Sequence, residues 1–292
     1  MLTVATKERI DGVSTAEPAL VVKSCGLSDR GQVRESNEDS FLIAELARTL
    51  WVRQSSLPQP ATQYGRNRGH IFLVADGMGG HQAGEVASAL SVSSIEAFVL
   101  HVLRRFSNLG PTDEPEVIRE LKAALRLADE RIIEETGQHP ELRGMGTTLT
   151  LAFISGWKLF VMHAGDSRCY LFRDGELRHL TRDHTIAAEL ARNGLISPQC
   201  VRTHRYRHVV TNILGGDRPG VDVDVQMETL TPGDQILLCS DGLTEMLPPE
   251  RLTAILAADD DPEETCQRLV IAANSAGGRD NITAIVAQID EA

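Results

Sequence analysis

Strand-like segments joined by tight turns constrain the fold of this chain more than any other sequence feature. Between residues 147 and 180 the chain reads TTLTLAFIS, WKLFVMHAGD and RCYLFRDGELRHL, three apolar segments of strand length. Ser155-Gly156 lies between the first two segments, and Asp174-Gly175 divides the third, which is a strong hairpin signal. Because consecutive hairpins pair their strands antiparallel, this region predicts an antiparallel sheet.

The helical patterns, in contrast, come in adjacent pairs. The pattern at 84–106 is followed by the one at 113–136, and the pattern at 249–258 is followed by the one at 262–277. Runs of strands and pairs of helices favour an α+β fold with segregated helices. They argue against the alternating order of a Rossmann fold or a β/α barrel.

Three segments stand apart from this regular pattern. Residues 1–20 show no clear period, so we expect a flexible N-terminal arm before a single domain that spans 21–292. Residues 48–70 contain two prolines, many polar residues and no acid, which predicts a loop or an extended insertion. Residues from 182 to about 220 are irregular apart from one short helical pattern, HTIAAELARNG.

Composition excludes several classes of partner. The 41 acidic and 29 basic residues give a net charge of −12, which does not attract a nucleic acid. No apolar run approaches the roughly 20 residues of a membrane helix, and no signal peptide is apparent. The five cysteines include no C-x-x-C pair and are expected to be reduced thiols. These features predict a cytoplasmic protein that binds neither nucleic acid nor membrane.

Acidic residues recur where apolar strands meet a Gly, Ser or Asn turn. Aspartates follow the runs IFLVA, FVMHAG and QILLCS, and further acids precede the strands FLI and ITAIV. These acids are Asp76, Asp166, Asp241, Glu38, Asp39 and Asp280. Taken singly, each of them could be a turn former or a helix cap.

Taken together, the same acids indicate a cation site. Several carboxylates on one rim of a sheet core would repel one another and raise each other's pKa, and a divalent cation relieves that repulsion. Oxygen ligands without clustered cysteine or histidine favour Mg²⁺ or Mn²⁺ over Zn²⁺. One aspartate can bridge two such ions about 3.5–4 Å apart, which lowers the pKa of a shared water.

Seven motifs together resemble the metal-dependent serine/threonine protein phosphatases, the type 2C or PPM family. In order, between about residues 22 and 290, they are RESNED, VADGMGGHQAGEVAS, GMGTTL, HAGDSRCYLFRDGEL, LTRDHT, LCSDGLTEML and GGRDNITAIV. The DGMGG form is similar to the bacterial branch. The resemblance implies a four-layer α-β-β-α sandwich, in which two antiparallel sheets are flanked by helix pairs.

The resemblance also implies a site for two Mn²⁺ or Mg²⁺ ions. Asp76 would bridge both ions, and Gly77 would offer its backbone carbonyl to one of them. Asp241 and Asp280 would ligate the second ion.

Further residues of the family pattern are also present. Glu38 and Asp39 would act through metal-bound water, and Asp166 together with Asp241 would form a third, weaker metal position. Asn281 would hold the edge of the site by hydrogen bonds.

Arg34 matches the phosphate-binding arginine of the family, and a guanidinium suits a bidentate grip on phosphate oxygens. The mechanism that the family implies is a single displacement by a metal-bridging hydroxide, without a covalent intermediate. The proposed substrates are phosphoserine and phosphothreonine in proteins that serine/threonine kinases modify in signal transduction. The protein itself is expected to be a monomer.

Two departures from the family pattern leave questions open. Met78 stands where eukaryotic relatives often keep a histidine that protonates the leaving group, and His81 is either a substitute acid or a polar residue at a helix start. Residues 182–220 correspond to the mobile flap of the family and carry six arginines. Those arginines either attract acidic phosphosubstrates or belong to a solvated loop.

Two other functions compete with a protein phosphatase. A non-catalytic binding module on the same fold would show the loss of one or more of the acids, and none is lost. A two-metal phosphodiesterase or nuclease would need a basic groove, which the acidic balance of the chain does not favour.

Overall fold

The computed structural model describes residues 20–51, 62–79, 83–106, 114–217, 220–258 and 260–292. The predicted arm therefore lies outside the described residues except for Leu20. The described strands are, in chain order, β1 Leu20–Asp29, β2 Asp39–Trp51, β3 Thr62–Met78, β4 Gly146–Thr147, β5 Leu149–Ser155, β6 Lys158–Ala164, β7 Arg168–Arg173, β8 Glu176–His179, β9 Leu214–Gly215, β10 Asp224–Thr229, β11 Gln235–Cys239 and β12 Ile282–Glu291. The described helices are α1 Ala83–Phe106, α2 Glu114–Gln138, α3 Ile186–Arg192, α4 Asp241–Met246, α5 Pro249–Leu256 and α6 Pro262–Ser275.

The strands form two antiparallel sheets. The first has the order β1-β12-β11-β7-β8, and the second has the order β10-β6-β5-β3-β4-β9 with β2 also paired to β3. The turn between β7 and β8 has positive φ angles at Asp174 (51°) and Gly175 (82°), as a two-residue hairpin turn of this kind requires. The predicted α+β fold with antiparallel sheets is confirmed.

Strand β3 shows why its apolar run is continuous. Ile71 and Leu73 pack in a core with α1 and α2, whereas Phe72 and Val74 pack in a second core between the two sheets. Because both faces of the strand are buried, its apolar residues do not alternate with polar ones. A third core lies between the first sheet and α4 to α6, so that the layers run α-β-β-α as predicted.

The structure corrects two readings of the sequence. Within the stretch predicted as a loop or insertion, residues 48–51 and 62–70 lie in β2 and β3, which pair with each other as far as Trp51 and Thr62. Only residues 52–61 of that stretch lie outside the described residues. The short helix α4 was not predicted, because its six residues are too few to show a helical period.

No helix in the described ranges is both long and apolar enough to cross a membrane.

Asp129 on α2 holds the end of the segment that runs from α3 to β10. Its side chain is 3% exposed, and its carboxylate accepts hydrogen bonds from the backbone N–H groups of Gly215 (2.7 Å), Gly220 (3.0 Å) and Val221 (3.3 Å). Hydrogen bonds to a charged acceptor are each worth about 1.5–3 kcal/mol, and a buried donor left unpaired is costly.

We therefore predict that Asp129→Ala lowers the free energy of unfolding by about 2–4 kcal/mol, because three N–H groups, two of them in the buried residues Gly215 and Val221, lose their acceptor. Urea unfolding monitored by circular dichroism measures this change. The exposed neighbour Glu130 provides the control Glu130→Ala, which should change stability by less than about 0.5 kcal/mol. Equal effects of the two substitutions would contradict the role of Asp129.

Candidate active site

One cavity of about 890 Å³ is lined by the C-terminal end of β3, the start of α4 and the segments before β2 and β12. Every residue that the sequence predicted for the site lines this cavity except Asp39. The lining members of that set are Arg34, Glu38, Asp76, Gly77, Asp166, Asp241, Asp280 and Asn281. Residues far apart along the chain therefore meet at a single place, although their individual roles stay predictions.

Asp39 lies immediately behind the cavity wall. It faces Asp76 across the β2–β3 pair and is 9% exposed. Its Oδ2 accepts hydrogen bonds from Ser240 Oγ and Thr283 Oγ1, both at 2.7 Å, whereas its buried Oδ1 has no hydrogen-bond partner among the described residues. Burial raises the pKa of Asp39 to about 6, although the two hydroxyl donors oppose that rise. Sequence reasoning missed Ser240 and Thr283, which look like ordinary strand-end residues.

Two threonines fix the backbone of Asp76. The N–H of Asp76 donates to Thr148 Oγ1 (3.0 Å), and its carbonyl accepts from Thr148 N (2.9 Å) and Thr147 Oγ1 (2.9 Å). Burial raises the pKa of Asp76 well above its usual value, and the nearby carboxylates of Asp39 and Asp241 raise it further. The backbone of Asp76 is therefore held by three hydrogen bonds, and its carboxylate lies close to other negative charges.

Asp166 and Asp241 are perturbed in the same way. Burial raises the pKa of Asp166 to about 7, with a further contribution from Asp183, while Arg168 opposes the rise. Burial also raises the pKa of Asp241, and Asp166 and Asp280 add to that effect. Clusters of raised carboxylate pKa values in a cavity are typical of functional sites.

Gly77 lies where no side chain fits. A Cβ atom at this position would be 2.0 Å from the carbonyl oxygen of Gly84 and 2.8 Å from that of Glu38. The N–H of Gly77 donates to the Glu38 carbonyl at 3.2 Å. Close packing of β3 against the start of α1 therefore explains the glycine, and the predicted role of its own carbonyl stays a prediction.

Arg34 and Asn281 connect the loop after β1 to the segment before β12. The Arg34 Nη2 atom lies 2.7 Å from Asp280 Oδ2, and this hydrogen bond raises the pKa of Arg34. The Asn281 side chain donates to the carbonyls of Arg30 (2.9 Å) and Ser36 (2.8 Å) and accepts from Glu38 N (2.8 Å). The rim of the cavity is thus held by side-chain hydrogen bonds.

The predicted flap contacts α4, the helix that begins at Asp241. Arg207 Nε lies 3.4 Å from Glu245 Oε2, and Arg202 Nη2 donates to the Thr244 carbonyl at 3.4 Å. His208 lines the cavity, with Nδ1 4.0 Å from Asp241 Oδ2. Sequence reasoning recognised the charge of the flap but not its contacts with α4.

The structure describes one of the two residues, Met78 and His81, that bear on which group protonates the leaving group. Met78 lines the cavity, and a thioether has no proton to donate. His81 lies outside the described residues.

The donor set fits hard divalent cations that keep water ligands. In the described part of the chain, no three acidic, histidine or cysteine side chains are grouped tightly enough to hold an ion directly. The carboxylates instead surround a cavity, and one buried carboxylate oxygen, Asp39 Oδ1, lacks a hydrogen-bond partner among those residues. Mg²⁺ in particular binds through one or two carboxylates and several waters, which suits this spacing.

Comparisons with known proteins agree on one family. A family model described as protein phosphatase 2C matches residues 52–270. The serine/threonine protein phosphatase PstP of Mycobacterium tuberculosis is 35% identical over 278 residues, which cover 94% of this chain but only 46% of that protein. The serine/threonine phosphatase stp of Listeria monocytogenes is 32% identical and covers 90% of this chain and 94% of its own length. This chain thus spans about half of its mycobacterial relative.

A solved structure extends the similarity to three dimensions. The crystal structure of the PstP catalytic domain in complex with two manganese ions has a TM-score of 0.72 and 32% identity, covering 93% of this chain and 100% of that one.

From the contacts of the flap we predict that Glu245→Gln loosens it, because the ion pair with Arg207 is lost. Both side chains are about one-third exposed, so the pair is worth at most about 1 kcal/mol. Backbone amides at 203–210 should therefore exchange hydrogen about two- to fivefold faster, as measured by mass spectrometry.

Two further variants control this measurement. The charge exchange Arg207→Glu with Glu245→Arg should restore slow exchange, and Glu250→Gln on the exposed face of α5 should leave it unchanged. Unaltered exchange in Glu245→Gln would show that the ion pair does not hold the flap.

Proposed function

This chain belongs to the protein phosphatase 2C family, and on that premise we propose that it hydrolyses phosphoserine and phosphothreonine in proteins with the help of divalent cations. The observation that carries the proposal is the shared cavity. Eight residues expected from the family pattern line it, although they come from segments between Arg34 and Asn281. An arrangement of acids together with Arg34 around a cavity suits a substrate that carries a phosphate.

Two metal ions are part of the proposal. Asp76, Asp241 and Asp280 would supply carboxylate ligands alongside water, with the Gly77 carbonyl as a further ligand, and Glu38 and Asp39 would act through metal-bound water. The two manganese ions in the PstP crystal structure support the number of ions. Bound cations would lower the pKa of a shared water and neutralise phosphate charge, which is the chemistry that a single displacement without a covalent intermediate requires.

The finer points about the metals are also proposed. We infer that either Mn²⁺ or Mg²⁺ can serve, because both prefer oxygen ligands. Asp166 shares the cavity with Asp241, and burial of each raises its pKa. A third, weaker cation between these two carboxylates would relieve part of the repulsion between their negative charges.

Arg34 is placed to bind the substrate. Its side chain is 53% exposed on the cavity wall, and its Nη2 atom already bonds to Asp280. A guanidinium has five N–H donors, so Arg34 can bond to phosphate oxygens while it keeps one contact with Asp280. Arg34 thereby places the phosphate beside a proposed metal ligand.

The proposed partners are phosphorylated proteins, the products of serine/threonine kinases in signal transduction. The names of the relatives PstP and stp support this class of substrate. Monomeric state and cytoplasmic location stay predictions from the sequence.

The proposal predicts that Asp241→Asn lowers turnover more than about a hundredfold, because the removed charge serves the metal positions that stabilise the transition state by several kcal/mol. The measurement is phosphate release from a phosphothreonine peptide with saturating Mn²⁺, beside matched phosphoserine and phosphotyrosine peptides and a chelator control.

Asp174 provides the matched control. It lies in the β7–β8 turn, and asparagine tolerates its positive φ, so Asp174→Asn should keep wild-type turnover. Retained turnover in Asp241→Asn at saturating Mn²⁺ would contradict the role of that carboxylate. Phosphate release by the wild-type protein that is unaffected by chelator would contradict the metal dependence.

A further inference from the structure

Three arginines line the cavity, and they differ in their partners. Arg34 bonds to Asp280 at 2.7 Å, and Arg207 lies 3.4 Å from Glu245. Arg279 is exposed and makes no hydrogen bond or ion pair with any residue that the structure describes. Of the three guanidinium groups, Arg279 is therefore the one whose charge no described acid neutralises.

The backbone around Arg279 is held in place although its side chain is exposed. The Gly278 carbonyl accepts a hydrogen bond from Gln32 N at 2.7 Å, and the Asn281 side chain donates to Arg30 O and Ser36 O. These bonds fasten the segment with Arg279 to the loop with Arg34. The backbone of Arg279 is therefore held in place at the cavity wall.

Arg279 also lines the cavity that contains the proposed phosphate position. Its neighbour in sequence is Asp280, which holds Arg34, and consecutive Cα atoms are only about 3.8 Å apart. A phosphate bound by Arg34 would thus share its cavity with a second guanidinium that has no partner among the described residues. An uncommitted guanidinium prefers a carboxylate or a phosphate group, with which it can form two parallel hydrogen bonds.

We propose that Arg279 forms a second anion subsite, which binds a carboxylate or phosphate group on the residue adjacent to the phosphoserine or phosphothreonine that is hydrolysed. This inference rests on the proposed function and names the substrate class of the same cavity. Three arginines of the flap are less suited to this task, because Arg202 and Arg207 contact α4 and Arg205 stacks over Tyr206 at 4.4 Å.

The test compares three phosphothreonine peptides that differ only in the adjacent residue: alanine, glutamate, or a nonhydrolysable phosphonate analogue of phosphoserine. The quantity of interest is the ratio of kcat/KM for each anionic peptide to kcat/KM for the alanine peptide, at low salt with Mn²⁺. For the wild type we expect a ratio of about three to five, as for an exposed ion pair. The glutamate and phosphonate peptides distinguish a carboxylate from a phosphate as the ligand.

The substitution Arg279→Ala should bring both ratios to about one, and Arg279→Lys should retain part of the preference, since it keeps the charge but loses the bidentate geometry. The matched control is Arg251→Ala on the exposed face of α5, which should keep the wild-type ratios. A wild-type ratio of one, or a preference that survives Arg279→Ala, would overturn the proposal.

A binding measurement separates this proposal from the proposed function. Fluorescence anisotropy with Mn²⁺ present, on labelled peptides that carry a nonhydrolysable phosphonate analogue in place of the phosphothreonine, gives the ratio of Kd values without turnover. If no peptide is hydrolysed with Mn²⁺, the proposed function fails, and a Kd ratio that depends on Arg279 still supports the anion subsite. Equal Kd values for wild type and Arg279→Ala with the anionic peptides would reject the subsite even if hydrolysis occurs.

Discussion

Repulsion between buried carboxylates is the constraint on which the rest of this structure depends. Asp39 and Asp76 face each other on neighbouring strands, and Asp166, Asp241 and Asp280 add negative charge to the same region. Burial raises the pKa values of Asp39, Asp76, Asp166 and Asp241 most, and neighbouring carboxylates raise them further, so the fold keeps these acids together at the cost of raised pKa values. Such an arrangement is understandable if the carboxylates serve cations, and the two manganese ions in the crystal structure of the similar PstP catalytic domain support that interpretation.

The same acids also connect the layers of the sandwich. Asp39 lies in a strand of the second sheet and accepts hydrogen bonds from Thr283 in β12 of the first sheet and from Ser240, which directly follows β11. Asp241 begins α4, and Glu245 one turn later meets the flap through Arg207. Asp39 therefore connects the carboxylates to the interface between the two sheets, and α4 connects Asp241 to the flap. A change at these carboxylates can reach both the sheet interface and the flap.

Sequence reasoning predicted the regular parts of this protein well, because their signals are local. The Asp174-Gly175 turn and the doubly buried run of β3 follow from backbone preference and burial of both strand faces. Sequence reasoning failed where the structure depends on contacts between residues that are far apart in the chain. The polar stretch from 48 to 70 extends β2 and β3 because its two halves pair, and Thr148 supports Asp76 across two strands. In the candidate site, the strand-end positions of the acids identified them as candidates. No sequence pattern identifies Arg279 as an arginine that lines the cavity without a partner among the described residues.

The most direct test of a cation site is the change in Tm that Mn²⁺ causes at pH 5 and at pH 8. The folded-state pKa values of Asp39, about 6, and Asp166, about 7, lie above the unfolded value of 3.8, so these groups make the metal-free fold less stable as pH rises from about 4 to 7. Mn²⁺ binds the deprotonated carboxylates, so it should raise Tm by several degrees at pH 8 and much less at pH 5, relative to chelator. The same shift should be absent in Asp76→Asn. A Tm at pH 8 that Mn²⁺ leaves unchanged, or an equal shift in Asp76→Asn, would contradict the account.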